Sequence, residues 1–238
     1  MDKSIYDYKF KVGTFDVGLG SKIRLSSILK YQMEAGERHL TDYFGLDYNT
    51  LKSQNNVFVI VNLIVKVYRS PVSGENITLT TWSKEVKGLK FFRAYKWFDE
   101  NGELLIESIS CCVLVDAKEH KLLKPDVLGF DFPTGDREIS IQNPKKLRLS
   151  KELTEAGKRE IYFSMLDSNE HLNNAFYADF AVDFIEKELA ENIKEFSIDF
   201  VKEAKCGEEI IIETAEENGT SFIHGKVGDN TCFRAEIK

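Results

Sequence analysis

The stretch Leu25-Ser26-Ser27-Ile28-Leu29-Lys30-Tyr31-Gln32-Met33-Glu34-Ala35-Gly36-Glu37-Arg38-His39-Leu40-Thr41-Asp42-Tyr43-Phe44 is followed by Gly45. Its apolar residues Leu25, Ile28, Leu29, Met33, Leu40, Tyr43 and Phe44 recur at helical spacing, and Gly45 is a natural C-terminal stop. Gly36 inside the helix is unfavourable by roughly 1 kcal/mol against Ala, which predicts tight seating on a neighbour. Working outward, a short strand is expected at 9–15. Four strand-like runs follow at 57–68, 77–86, 90–98 and 104–115, separated by Ser73-Gly74, Lys87-Gly88 and Asn101-Gly102.

The same order returns in the second half. A strand is expected at 160–166, a helix at 173–191 and strands at 196–203, 209–215, 221–227 and 231–237. The helix begins apolar nearly all round (Ala175, Phe176, Tyr177, Ala178, Phe180, Ala181), as a buried helix does. The pattern β-α-β-β-β-β, read twice, predicts an α+β fold of the tandem, or double, hotdog type, each repeat a long helix wrapped by an antiparallel sheet. The expected division is an N-terminal repeat at 1–142, a charged linker at 143–159 and a C-terminal repeat at 160–238. Gly74-Glu75-Asn76-Ile77 aligns with Gly207-Glu208-Glu209-Ile210 at an offset of 133 (207 − 74). Leu25-Ser26-Ser27 aligns with Leu172-Asn173-Asn174 at an offset of 147 (172 − 25). The difference of 14 places an extra loop near 46–56, in the first half only. The other reading is an ordinary α+β protein with two unrelated halves.

Of the 238 residues 42% are hydrophobic, with 17 Phe and 4 Pro, which excludes a disordered or collagen-like chain and supplies a sizeable core. A net charge of −7 argues against a surface that grips nucleic acid throughout. Residues 1–7 hold no apolar signal segment, and the greasiest run, 57–65, is interrupted by Asn62. A bilayer span needs about 20 apolar residues. Cys111, Cys112, Cys206 and Cys232 form no Cys-x-x-Cys, and no His stands at ligand spacing to them. A reduced, cytoplasmic protein is expected, with no membrane span, no nucleic-acid partner and no metal.

Nucleophile-elbow, Walker and Gly-x-Gly-x-x-Gly motifs are missing, which removes serine α/β-hydrolases, NTPases and Rossmann enzymes. One segment carries chemistry: Asp167-Ser168-Asn169-Glu170-His171-Leu172-Asn173-Asn174. Asp167, Asn169 and His171 alternate, so in an extended approach they share a side, beside the first N–H groups of the second helix. Such a group can stabilise an oxyanion and manage a proton. Helix capping by Asp167 and Asn169 is the plainer reading; it leaves His171 and the two Asn unexplained.

With Asp-x-Asn-x-His-Leu-Asn-Asn on entry to the second helix of this repeat, the chain resembles the acyl-ACP thioesterase family. Tyr68-Arg69-Ser70-Pro71, Thr80-Thr81-Trp82, Arg93-Ala94-Tyr95-Lys96 and Phe98-Asp99-Glu100-Asn101-Gly102-Glu103-Leu104 extend the resemblance over 8–238. Without a plastid leader it is similar to a bacterial-type member. The resemblance implies a double hotdog that releases fatty acid from acyl carrier protein without a cofactor. It implies Asp167, Asn169, His171 and Glu203 as catalytic residues, with one site per chain. Plant members have a Cys directly after the Glu; Ala204 stands there in this chain. Glu203 and His171 would activate water, Asp167 would orient the network, and Asn169 with the helix N-terminus would hold the thioester oxygen.

The first half has lost the motif: Gly20, Lys22, Arg24 and Ser70 occupy the positions matching Asp167, Asn169, His171 and Glu203. It is left to bind the acyl chain, between its helix, the extra loop (Leu46, Tyr48, Leu51) and the strand at 57–65. Leu25, Ile28, Leu29, Met33, Asn173 and Asn174 are the expected substrate-binding residues, with Met33 or Ala35 near the tunnel end. Acidic carrier protein would need a basic patch. Lys84, Lys87, Lys90, Arg93 and Lys96 form one, and Lys145, Lys146, Arg148, Lys151, Lys158 and Arg159 another. The competing functions are a hotdog 3-hydroxyacyl-thioester dehydratase and a non-catalytic acyl-thioester binding protein. Acyl-chain preference is left open, and so is assembly, a homodimer included.

Overall fold

Helix α1 forms where its apolar spacing places it, at Leu25–Phe44, and Gly45 ends it with φ 66°. At that left-handed angle the Gly45 N–H reaches the Leu40 and Thr41 carbonyls. A computed structural model describes residues 3–129, 133–148 and 152–238. The first-half strands are β1 (Ile5–Lys11), β2 (Asn56–Val67), β3 (Asn76–Lys87), β4 (Lys90–Phe98), β5 (Leu104–Asp116) and the short β6 (Lys121–Leu123). β1 begins and ends earlier than the expected 9–15. Gly13 and Asp16 close a turn there, with the Gly13 N–H on the Asp16 carboxylate at 2.8 Å. The extra loop holds a short helix, α2 (Tyr48–Ser53).

The second half contains β7 (Thr154–Glu160), α3 (Asn174–Val182), α4 (Lys187–Glu191), β8 (Glu195–Phe200), β9 (Glu209–Glu217), β10 (Thr220–Val227) and β11 (Asn230–Ile237). Two expectations are corrected. The first strand of this half lies at 154–160, not 160–166. It is an exposed edge strand with no apolar alternation to announce it, while Phe163–Met165 form a 3-10 turn. The helix expected at 173–191 is broken after Val182, where the chain turns and Phe184 packs on Gly157.

Among the described residues the strands form one antiparallel sheet in the order β1-β3-β4-β5-β2-β8-β11-β10-β9-β7, with β6 beside β5. Each half therefore uses its strands in the order first, third, fourth, fifth, second, and the two second strands pair. Ile64 pairs with Ser197, 133 residues on (197 − 64), the offset that aligns Gly74 with Gly207. Asn62 pairs with Asp199 and Lys66 with Glu195, so each meets the other's counterpart. Reciprocal pairing of this kind marks a two-fold relation, here between halves of one chain.

One face of the sheet wraps α1 and α3. Ser108 donates to Gln32 of α1 at 3.1 Å, and Leu63, Val65, Leu79, Trp97, Phe196, Ile198 and Phe233 pack with Leu25, Ile28, Ala178 and Ala181. The opposite face carries the row Trp82, Ala94, Ile109, on which Ile139 and Ile141 of the joining segment pack. Glu107, 1% exposed, is held there by Lys96 (3.1 Å), Tyr68 (2.8 Å) and Ser140. Within the expected charged linker, Asn143 bonds Lys84 and Glu85, the Leu147 N–H reaches the Asp199 carboxylate at 2.7 Å, and 154–159 belong to β7. No helix among the described residues is long and apolar enough to cross a membrane.

Candidate active site

The segment before α3 is a tight turn, not the extended approach expected. Asp167 accepts the Asn169 N–H at 2.8 Å and the His171 N–H at 3.2 Å on Oδ1. Its own N–H reaches the His171 carbonyl at 2.8 Å. Glu170 completes the turn at φ 65°, a left-handed conformation uncommon for a non-glycine residue. The Asp167 carboxylate is therefore spent on the backbone that presents Asn169 and His171. Neither Asp167 nor Asn169 caps the helix. Asn173 does, accepting the Ala175 N–H at 3.0 Å, and Asn174 opens α3 half-buried beside it.

Glu203 arrives from the segment after β8. Leu172 N–H donates to the Ala204 carbonyl at 2.9 Å, and His171 bridges Lys205. Beneath them the buried Tyr177 hydroxyl bonds the Ala204 backbone; burial pushes that phenol's pKa up. This pairing sets His171 Nε2 3.4 Å from Glu203 Oε2. His171 is 25% and Glu203 53% exposed at the side chain, so water reaches both. Ala204 is fully buried, and Cys206 is an exposed free thiol outside the pair. Among the described residues no cluster of His, Cys, Asp or Glu could hold a metal.

Asn169 is also met from the other half. The Tyr48 hydroxyl donates to Asn169 Oδ1 at 2.5 Å. Tyr48 and Leu51 of α2 wall a cavity of about 180 Å³ under α1, lined by Met33, Gly36, Leu40, Phe58, Ile60 and Phe92. Gly36 is buried, and a Cβ there would meet the Arg93 and Tyr95 side chains at ordinary van der Waals contact, 3.5 Å, so the helix lies close on β4 here without a Cβ clashing. Of the residues expected to bind the chain, Met33 lines this cavity. Leu25 and Ile28 belong to the core and border a different cavity. Leu29, 2% exposed, and Ala35, fully buried, are core as well. The Tyr48 link spans 121 residues and has no local sequence signal; the extra loop was its only trace.

That different cavity, about 1080 Å³, is lined by Gly20, Lys22, Arg24 and Ser70, the first-half counterparts of the motif and of Glu203. The repeat brings both sets together, but the first holds cations and a hydroxyl where the second holds acid, amide and imidazole. Lys22 is tied to the Glu191 carbonyl at 2.7 Å and Arg24 to the Phe15 carbonyl at 2.9 Å. The pair that can move a proton is at His171, although the larger cavity is at the other end.

The acyl-ACP thioesterase N-terminal domain matches residues 3–127, and the acyl-ACP thioesterase C-terminal domain matches 150–234. The chain belongs to the acyl-ACP thioesterase family. An acyl-[acyl-carrier-protein] hydrolase of Cuphea viscosissima is 22% identical over 244 residues, which cover 94% of this chain and 59% of that protein. A palmitoyl-acyl carrier protein thioesterase of Cuphea hookeriana is 21% identical over 90% of this chain and 54% of its own length. The chain thus spans under two thirds of these curated relatives. In fold, an acyl-ACP thioesterase of Bacteroides thetaiotaomicron superposes with a TM-score of 0.89 at 20% identity, covering 100% of this chain and 99% of that one. The 12:0-ACP thioesterase of Umbellularia californica gives 0.80 at 20% identity, covering 100% and 98%. The acyl-ACP thioesterase family and these neighbours agree with the double hotdog read from the strand order.

Proposed function

We propose that this chain hydrolyses fatty acyl-acyl carrier protein, releasing free fatty acid and the carrier's thiol, with water activated by Glu203 and His171. The observation that carries this is the His171–Glu203 contact at 3.4 Å, on a turn shared with Asn169 and next to the cavity under α1. The water gives its proton to the Glu203–His171 pair as its oxygen attacks the thioester carbon. The C–S bond then breaks, and the sulfur leaves with the proton. Asp167 holds the turn, and the Asn169 amide N–H, with the start of α3, steadies the developing oxyanion. No metal or cofactor takes part. In this reading the first half holds the acyl chain, the segment ending before β7 joins the halves, and the second half from β7 onward carries the chemistry. Incubation with a panel of acyl-ACPs tests it: free thiol is expected. Absorbance change without thiol would indicate dehydration, and neither signal a binding protein.

Met33 sets the length of the acyl site in this reading. Each buried methylene is worth about 0.8 kcal/mol, so Met33→Phe shifts product preference toward shorter chains by several-fold per carbon. An unchanged product profile counts against the cavity under α1.

Docking of the acidic carrier falls to the second basic patch. In the first, Lys96 is paired to Glu107 and Arg93 turns inward to His39 at 2.9 Å. In the second, Lys158 and Arg159 are paired to Glu209 and Asp183, and Lys151 lies outside the described residues. Lys145, Lys146 and Arg148 are exposed. Reversing these three to Glu raises KM for acyl-ACP and spares a short pantetheine thioester. Equal loss on both substrates removes the patch from docking.

A further inference from the structure

The geometry points to Tyr48 as a positioning residue that fixes which way the Asn169 amide faces, joining the acyl-binding half to the reaction centre. The inference rests on the reading of Asn169 as the donor to the thioester oxygen. An asparagine amide can present either its oxygen or its NH2, and the two ends are close to isosteric. Here the choice is made by a chain of donors. Lys52 Nζ donates to the Tyr48 hydroxyl at 3.2 Å and stands 5.2 Å from the Tyr48 ring centroid. An ammonium group only donates, so the hydroxyl accepts from Lys52 and its single proton goes to Asn169. At 2.5 Å that proton demands the amide oxygen, which leaves the NH2 end to face the substrate as a donor.

Tyr48 is itself held. Its backbone N–H donates to Glu37 of α1 at 2.6 Å, and Asp47 caps α2 through the Thr50 N–H at 2.7 Å. The ring that carries this hydroxyl also walls the cavity under α1. A donor aimed before substrate arrives needs no reorganisation during the reaction, which is where such groups gain their effect.

The test is a double-mutant cycle on acyl-ACP hydrolysis with Tyr48→Phe and Asn169→Ala. Tyr48→Phe removes one oxygen. It should lower kcat roughly tenfold, the range of a single neutral hydrogen bond, with KM and the thermal midpoint near wild type. In the Asn169→Ala background the same change should cost nothing further, because the group it orients is gone. An active wild type with full kcat in Tyr48→Phe overturns the inference, as does an equal fall in both backgrounds. A wild type that releases no thiol overturns the functional reading instead.

Discussion

Glu203→Gln lowers kcat on acyl-ACP by roughly 10²–10⁴-fold and leaves KM near wild type. Gln keeps the size and hydrogen bonding of the side chain and removes only the base. The reason to expect so large a loss is the 3.4 Å contact between Glu203 Oε2 and His171 Nε2, which leaves the pair as the proton acceptor for water. His171→Ala falls by a similar factor. Cys206→Ala stays near wild type, because Cys206 is exposed and Ala204 fills the place a thiol would need. With a single hydrolytic step, no pre-steady-state burst accompanies turnover. An acyl adduct on Cys206, or full activity in Glu203→Gln, refutes the mechanism.

Acidification from pH 6.5 to 4 removes about 3 kcal/mol of folding stability through His39 alone. Burial, then the neighbouring Arg93 guanidinium, pulls the His39 pKa down to about 4; its bond to Lys3 opposes this. The ring is 1% exposed and stacks on Tyr6 at 5.6 Å, with Tyr43 and Phe44 around it. Arg93 donates to Nδ1 at 2.9 Å, so Nε2 carries the proton given to the Lys3 carbonyl at 3.0 Å. The neutral ring is satisfied at both nitrogens, and a second proton would have to displace Arg93. The unfolded chain binds that proton from pH 6.5 downward and the folded chain only near pH 4. Stability is therefore full above 6.5 and drains away across this window. Denaturant unfolding of wild type and His39→Gln at pH 7 and pH 4 isolates the effect. Parallel losses in the two proteins would assign the acid sensitivity elsewhere.

Local periodicity accounts for most of what was legible. α1 starts and stops at the expected residues because its apolar stripe and Gly45 are local signals. The strands β2 to β5 fall within a residue or so of expectation for the same reason. β7 was misplaced because an edge strand exposed on most positions has no apolar alternation. The helix break after Val182 was invisible because an all-round apolar run carries no direction. At the candidate site, the residue types in 167–174 were readable, and their geometry was not. Alternation suggests an extended strand, yet Asp167 bonds two backbone N–H groups and forces a turn. Glu203 had no signal of its own. Its place beside His171 comes from the bridge between 171–172 and 204–205.

The sequence by itself determined α1, the strands β2 to β5, the doubled order and the 133-residue offset, because turn glycines and side-chain periods act within a few residues. Only the tertiary structure decided what the two-fold relation does with them. It gathers both copies of the motif positions, the first lining a cavity with cations and the second forming a water-accessible His–Glu pair. It also brings Tyr48 across 121 residues to Asn169. Contacts of that reach depend on sheet register and on how α1 and α3 pack, which no local pattern records.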